Sequence, residues 1–490
     1  MEAEATNMGT GYYYPPRMNA AYFLVDDNAN RKGNDIAIYC GREAITYGQL
    51  RELVNRLGNG LKELGVVPGD RVLCRFPNQP EGFISVLGAM KAGAIPVPIL
   101  PFLREREVQY IINHTEAVAA LTASQAVAEI HGVRQECPTL RHVVVAGAEI
   151  NGCIQWQDLL AGSSPDLEAA DTGREDTAYL VYTSGTTGLP KGIAHRHDSI
   201  LLNSDSFFPF VFGERRPDDV LFSPAPMGLA FGLASSCFLP LRFGVPVVLV
   251  PERLSPEDVF DILEKHRVTL LLTAAPILEA MLDVPEAEKQ HDLRALRCVA
   301  TGASLATVPL CRGWQERFGI GILPAYGLSE TVGAALASPQ GQGKPATLGK
   351  GIPGWEYRVA NEDFQEVPQG EMGVLLVRGS VVSHYWRAPE LSESSFHEGW
   401  FITGDVVSQD SEGYFHLAGR IDEIIKSSGW TISPVEVEEA IATHPSVLEA
   451  AVVGLPHPVK GQEVAAAVVL KPVYTPSGKL EEEIAAHVAG

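Results

Sequence analysis

An α/β protein is predicted: a large N-terminal domain of helix-covered sheets with a small β-barrel-like subdomain, followed by a small α+β C-terminal domain. Three observations carry this. Strand-like apolar runs alternate with amphipathic helical patterns through the first two thirds of the chain, and that alternation implies parallel sheets covered by helices. Beyond about residue 349 the texture changes to short β-rich runs separated by Gly, Pro and Asp. After residue 420 a fresh α+β pattern begins.

The elements follow in order. Leu50, Leu53, Val54, Leu57, Leu61 and Leu64 recur at three- and four-residue spacing, giving a helix one apolar face. Pro68-Gly69 punctuates, and residues 71–76 read as a strand. A helix over 81–92 leads to an apolar strand at 95–100. The same alternation returns as helix 256–267, strand 268–273, helix 277–282 and strand 297–301. Residues 356–359, 373–377 and 413–417 are the short runs of the antiparallel subdomain, and 434–443, 463–471 and 480–488 read as helix, strand and helix. These patterns divide the chain into residues 1–419, a connector at 420–423, and a small domain at 424–490.

Composition excludes several classes. The 490 residues carry 38 basic and 60 acidic side chains, a net charge of -22. Such a surface repels DNA phosphates and anionic lipid, so neither nucleic acid nor membrane is expected as a partner. Hydrophobic residues at 46% and charged residues at 20% are ordinary for a folded globular protein. Seven scattered cysteines, without a C-x-x-C pair or zinc spacing, suit a reducing compartment, and the N-terminal stretch lacks the apolar core of a signal peptide. The expected location is cytoplasmic. Residues 220–241 are uncharged and long enough to span a bilayer, but Pro224, Pro226, Gly228, Gly232 and Pro240 interrupt them. A buried, pocket-lining segment is the better reading.

The most informative stretch is YTSGTTGLPKG at residues 182–192, directly after a strand-like run. It holds three glycines, four Ser and Thr hydroxyls and one lysine. Glycines let several backbone N–H groups converge on one anion, hydroxyls donate to phosphate oxygens, and a lysine adds positive charge. Gly192 follows the lysine, so this is not the G-x-x-x-x-G-K-[ST] phosphate loop. A flexible surface turn would explain the composition, but neither its length nor its placement.

This string resembles the signature of the adenylate-forming superfamily, which comprises acyl- and aryl-CoA synthetases, adenylation domains of peptide synthetases, and luciferase. AYGLSE (325–330), WFITGD (400–405) and GRIDEIIKSSGWTISPVEVE (419–438) follow in the family's order. The resemblance implies that Thr183, Ser184, Gly185, Thr186, Thr187 and Lys191 bind the β- and γ-phosphates of ATP. It implies that Glu330 holds Mg²⁺, a hard ion suited to one carboxylate plus phosphate oxygens. Ser329 stands where the family more often has threonine; either hydroxyl donates to the α-phosphate. Tyr326, with Gly327, would stack on adenine, and Gly302, Ala303 and Ser304 would line its edge. Asp405 would accept from the ribose hydroxyls, Arg420 would contact the ribose, and Asp422 matches the hinge. Lys426 and Gly429 match the part of a mobile C-terminal domain that serves the thioester step. Taken singly, several of these fit an ordinary turn or a solvated charge.

Within the superfamily the chain looks most like benzoate-type aryl-CoA ligases. His197, Ala230, Phe231, Gly232, Ala303, Gly327, Gly333 and Ala334 are carried over as the acyl pocket, with His197 at its mouth. Small residues beside one aromatic suit a flat ring. Gly333 and Ala334 leave room for an ortho substituent, which favours 2-aminobenzoate (anthranilate). The implied reaction activates a small aromatic carboxylic acid with MgATP as acyl-AMP, then passes it to coenzyme A. An acyl carrier protein is the alternative acceptor, and a non-catalytic binding relative is a further alternative; the oligomeric state is open. Lys479 lies before the last helix pattern, whereas the family's final lysine lies beyond it. The small domain therefore reads as truncated, with acyl-AMP expected to be converted better than acid and ATP.

Overall fold

The computed structural model describes residues 14–183, 189–379, 384–428 and 430–489. By internal packing the chain divides into two compact units, Met1–Trp355 with Gly379–Ser394, and Glu356–Arg378 with Ser395–Gly490.

The first unit is built on two sheets of parallel core. One runs in the order Ile95–Pro98, Arg71–Arg75, Ala119–Ala123, His142–Ala146 and Ile154–Gln155, every pair parallel. Parallel strands need helical crossovers, and the helices Pro80–Lys91 and Glu105–Thr115 supply two of them. The predicted first helix is Tyr47–Glu63, started by a capping box in which Thr46 and Gln49 satisfy each other's backbone N–H groups.

The larger sheet has nine strands. Its parallel centre comprises Ile322–Tyr326, Cys298–Thr301, Leu270–Thr273, Leu221–Phe222, Val247–Leu249 and Ile36–Cys40, with antiparallel pairs at both edges. Helices Pro256–Lys265, Ala275–Leu282 and Val308–Phe318 bury Phe260, Leu278, Met281 and Trp314 against one face. A third sheet joins His384–Tyr385, Lys191–Arg196 and Thr177–Thr183. The uncharged stretch 220–241 is a short strand followed by short helical turns, and no helix among the described residues is long and apolar enough to cross a membrane. All seven cysteines are free.

The second unit contains a five-stranded antiparallel sheet of Glu356–Ala360, Gly373–Arg378, Trp400–Gln409, Phe396–His397 and Phe415–Arg420. A four-stranded antiparallel sheet follows, including Val447–His457 and Gly461–Leu470, with helices Pro434–Ala442 and Gly478–Ala489. Ile425, Ile441, Val447, Val452 and Ile484 form its small core. The antiparallel subdomain thus packs with the C-terminal part: Ser433, which caps the helix Pro434–Ala442, donates its hydroxyl to the Ala418 carbonyl at 2.6 Å.

Candidate active site

Strands Thr177–Thr183 and Lys191–Arg196 form a hairpin whose last register pair is Thr183 with Lys191. The loop between them carries Ser184, Gly185, Thr186 and Thr187, which lie outside the described residues. Its base is tightly packed. A Cβ on Gly192 would stand 3.0 Å from the Tyr182 ring and 3.1 Å from Trp386. The Tyr182 hydroxyl pairs with His114 Nδ1 at 2.7 Å, and the Trp386 N–H donates to the Gly192 carbonyl at 2.8 Å.

Two side chains tie this sheet to the segment Ser329–Thr331. Tyr385, paired with Ile193 in the sheet, donates its hydroxyl to Glu330 Oε1 at 2.7 Å. His195, fully buried, meets the Ser329 carbonyl through Nε2 at 2.8 Å. A carbonyl only accepts, so Nε2 carries the proton and Nδ1 is the bare lone pair. Burial holds this imidazole neutral, its pKa pushed down to about 4. The result places the carboxylate Glu330 beside the strand that begins at Lys191. Sequence reasoning missed both ties. Tyr385 lies 55 residues from its partner, outside any motif.

Among the described residues, no group of three or more His, Cys, Asp or Glu is placed to cage a metal. A lone half-buried carboxylate with one oxygen held by a tyrosine fits Mg²⁺, which binds through one or two carboxylates and substrate phosphates. Glu330 would hold that ion. A Tyr385→Phe variant should raise the Mg²⁺ concentration for half-maximal activity roughly tenfold, because partners that orient a metal ligand typically tune affinity by that order. An unchanged Mg²⁺ titration would show that Tyr385 does not orient Glu330.

A cavity of about 220 Å³ opens at the carboxyl ends of the parallel strands Leu270–Thr273, Cys298–Thr301 and Ile322–Tyr326. Open α/β sheets bind ligands at that edge. Ala230, Phe231, Gly302, Ala303, Tyr326, Gly327, Ser329, Gly333 and Ala334, all expected site residues, line it. The helix His197–Phe212 forms another wall through Ile200, Asn203, Ser204 and Phe207. That i, i+3, i+4, i+7 spacing is one helix face. Sequence reasoning missed this wall. Its signal was available: Asn203, Ser204, Asp205 and Ser206 are polar residues in a helix buried on nearly every side.

Backbone geometry shapes the cavity. Ala303 and Val332 both sit at φ 64°, a left-handed conformation that non-glycine residues adopt at a cost. A Cβ on Gly302 would stand 2.8 Å from the Phe231 ring, and one on Gly327 would fall 1.8 Å from the Gly333 carbonyl oxygen.

Two expected pocket residues, Gly232 and His197, are placed otherwise. Gly232 is off the lining because it backs onto the chain, where a Cβ would meet the Pro226 carbonyl oxygen at 2.0 Å. His197 does not line the cavity either. It is 2% exposed, its Nδ1 accepts the Ala20 N–H at 3.1 Å, and burial pushes its pKa down to about 4. The Ser304 hydroxyl accepts the Ala275 N–H at 3.0 Å, which caps the helix Ala275–Leu282.

In the second unit, Asp405 is 5% exposed and opposite Arg420 in the sheet. Arg420 Nη1 donates to Asp405 Oδ1 at 2.9 Å and to the Thr403 carbonyl at 3.0 Å. Asp422 is exposed in the turn after that strand. Lys426 pairs with Glu362 at 2.7 Å, both largely solvated, and such pairs hold weakly. Gly429 lies outside the described residues. Lys479 is in the first turn of the last helix, 86% exposed, beside Glu483 at 3.3 Å.

Residues 25–386 match the family described as AMP-binding enzyme, and residues 436–490 match the AMP-binding enzyme C-terminal domain. The chain belongs to the AMP-binding enzyme family. This AMP-binding enzyme is similar to the benzoate–CoA ligase of Thauera aromatica, 34% identical over 99% of this chain and 92% of that one. It is also similar to the acetyl-coenzyme A synthetase of Bacillus subtilis (strain 168), 31% identical over 96% of this chain and 84% of that one. Among solved structures, the anthranilate CoA ligase AuaEII in complex with anthranoyl-AMP matches it with a TM-score of 0.90 and 31% identity, over 97% of this chain and 91% of that one.

Proposed function

We propose that this AMP-binding enzyme is an aryl-carboxylate–CoA ligase acting on benzoate-type acids, with 2-aminobenzoate preferred. The observation that carries the reading is the cavity. Its 220 Å³ exceeds the roughly 150 Å³ in which an apolar protein cavity holds benzene. Phe207, Phe231 and Phe238 wall it with small residues between them, which suits a planar ring. An acetyl group would leave most of this space unfilled. Gly333 and Ala334 on the lining leave room beside the ring. The benzoate–CoA ligase and anthranilate CoA ligase likenesses support the same class.

In the first step a carboxylate oxygen of the acid attacks the α-phosphorus of ATP, and pyrophosphate leaves. Two anions meet, so preorganised donors and cations must offset their repulsion. Thr183 and Lys191, with the loop they flank, take the β- and γ-phosphates, and the Ser329 hydroxyl serves the α-phosphate. Glu330 would hold Mg²⁺, which would supply positive charge to offset that of the phosphate oxygens. In the first unit Tyr326, with Gly302 and Ala303, serves the adenine; in the second unit Asp405 and Arg420 are the residues suited to ribose hydroxyls. In the second step the CoA thiolate attacks the acyl carbon and AMP leaves. Lys426 and Gly429 serve this step, with the turn at residues 420–423 as hinge and Asp422 at its centre.

The test supplies MgATP and CoA with benzoate, 2-aminobenzoate, acetate and octanoate, and in parallel CoA with each synthetic acyl-AMP. Products are identified by mass spectrometry. Aryl-CoA formation, highest with 2-aminobenzoate, is expected. Faster acetyl- or octanoyl-CoA formation would overturn the aryl reading. Acyl-AMP that passes only to a carrier-protein thiol would replace CoA as the acceptor.

A further inference from the structure

The helix His197–Phe212 presents an unused amide acceptor to the cavity. Asn203 is buried and lines the cavity. Its Nδ2 donates to the Ala334 carbonyl at 3.0 Å and the Thr331 carbonyl at 3.3 Å. Carbonyls accept only, so these two contacts decide which end of the amide is nitrogen. Oδ1 is thereby oriented, and it accepts no hydrogen bond from any described residue. Two hydroxyls of this wall have only their protons committed. Ser204 donates to the Ile200 carbonyl at 2.8 Å, and Ser235 to Ser223 Oγ at 2.9 Å.

Gly333 keeps this oxygen uncovered. A Cβ there would stand 2.7 Å from Asn203 Oδ1, so the amide would have to move from its present position. The missing side chain therefore does more than make room for a ring substituent. It leaves a fixed acceptor in an apolar wall.

We propose that Asn203 is a specificity-determining residue whose Oδ1 accepts a hydrogen bond from an N–H donor on the substrate ring. The inference rests on the aryl reading above and deepens it by naming the substrate class: amino-substituted arylcarboxylates. In 2-aminobenzoate one amino N–H faces the substrate's own carboxyl oxygen. The second N–H points away from it and is the one that Asn203 would receive. A site built around an acceptor rejects the analogue lacking the donor more strongly than an apolar pocket separates isosteres, because the acceptor is then buried unpaired.

The test measures binding of three non-reactive acyl-sulfamoyl adenosines by calorimetry: 2-aminobenzoyl, 2-methylbenzoyl and benzoyl. The methyl matches the amino group in size and lacks the donor. On the wild-type chain the 2-amino compound should bind roughly tenfold tighter than the 2-methyl compound. In Asn203→Leu, which keeps the side-chain shape, that ratio should fall to about threefold or less while the benzoyl compound still binds. Equal wild-type affinities for the amino and methyl compounds would overturn the role of Asn203 and leave the aryl reading intact. So would a ratio unchanged in a folded Asn203→Leu variant. If that variant does not fold, the wild-type ratio decides. Failure of all three compounds to bind would overturn both readings.

Discussion

A Gly327→Ala variant should lose turnover and unfold more easily, by an amount at or above the upper end of the ~1–3 kcal/mol typical of overpacking. The new methyl would fall 1.8 Å from the Gly333 carbonyl oxygen and 2.9 Å from the Ala334 Cα. Both are backbone atoms, so no rotamer change relieves the contact. The segment can accept the methyl only by moving residues 333–334 away from Gly327. That movement also shifts Ala334, whose carbonyl anchors Asn203, and the Gly333 edge of the cavity. Activity and stability should therefore fall together. Gly162→Ala is the control, since a Cβ there meets nothing within 4 Å. Urea unfolding and turnover of both variants decide it. A Gly327→Ala protein with wild-type stability would mean that the two segments are not in backbone contact.

Stability should also fall steeply as the pH drops from about 6.5 to about 4. Burial lowers the pKa of both His195 and His197 to about 4, against about 6.5 in the unfolded chain. Within that window the unfolded chain takes up protons that the folded chain refuses, so acid favours unfolding. Above pH 6.5 both imidazoles are neutral in either state and the contribution is fully present. Below pH 4 both states are protonated and the loss levels off. Each shift corresponds to ~3 kcal/mol across the window. Hydrogen bonding shows what would be disturbed. A proton on His197 Nδ1 would displace the Ala20 N–H, and one on His195 would charge a ring stacked on Tyr179. The measurement is the urea midpoint at pH 7.5, 6.0, 5.0 and 4.5 for wild type and a His195→Gln, His197→Asn double variant. These replacements keep one donor toward Ser329 and one acceptor toward Ala20. The variant should show a distinctly shallower fall. An identical slope would assign the acid loss to other groups.

Much of the molecule follows from local pattern. The leucine spacing over residues 50–64 appears as the helix Tyr47–Glu63, and the strand–helix alternation appears as two sheets with parallel cores. Such features are legible because period and turn chemistry act over a few residues. The string at 182–192, with the three later motifs in order, likewise marked the family. Also readable were Ala230, Phe231, Ala303, Gly327, Gly333 and Ala334, which all reach one cavity.

What the sequence could not show are contacts between residues far apart in the chain. Tyr385 reaches Glu330, and His195 reaches the Ser329 carbonyl, because the strand Lys191–Arg196 carries His195 and pairs with Tyr385, bringing both to the segment Ser329–Thr331. The cavity wall of Ile200, Asn203, Ser204 and Phe207 exists because one face of a buried helix meets the strand ends. Gly232 and His197 sit near pocket residues in sequence, yet backbone packing at Pro226 and an acceptor role toward Ala20 claim them. The sequence by itself determined the alternating elements and the family. Tertiary structure decided which side chains face the cavity and which orient Glu330, because both depend on close packing between distant segments that no local period records.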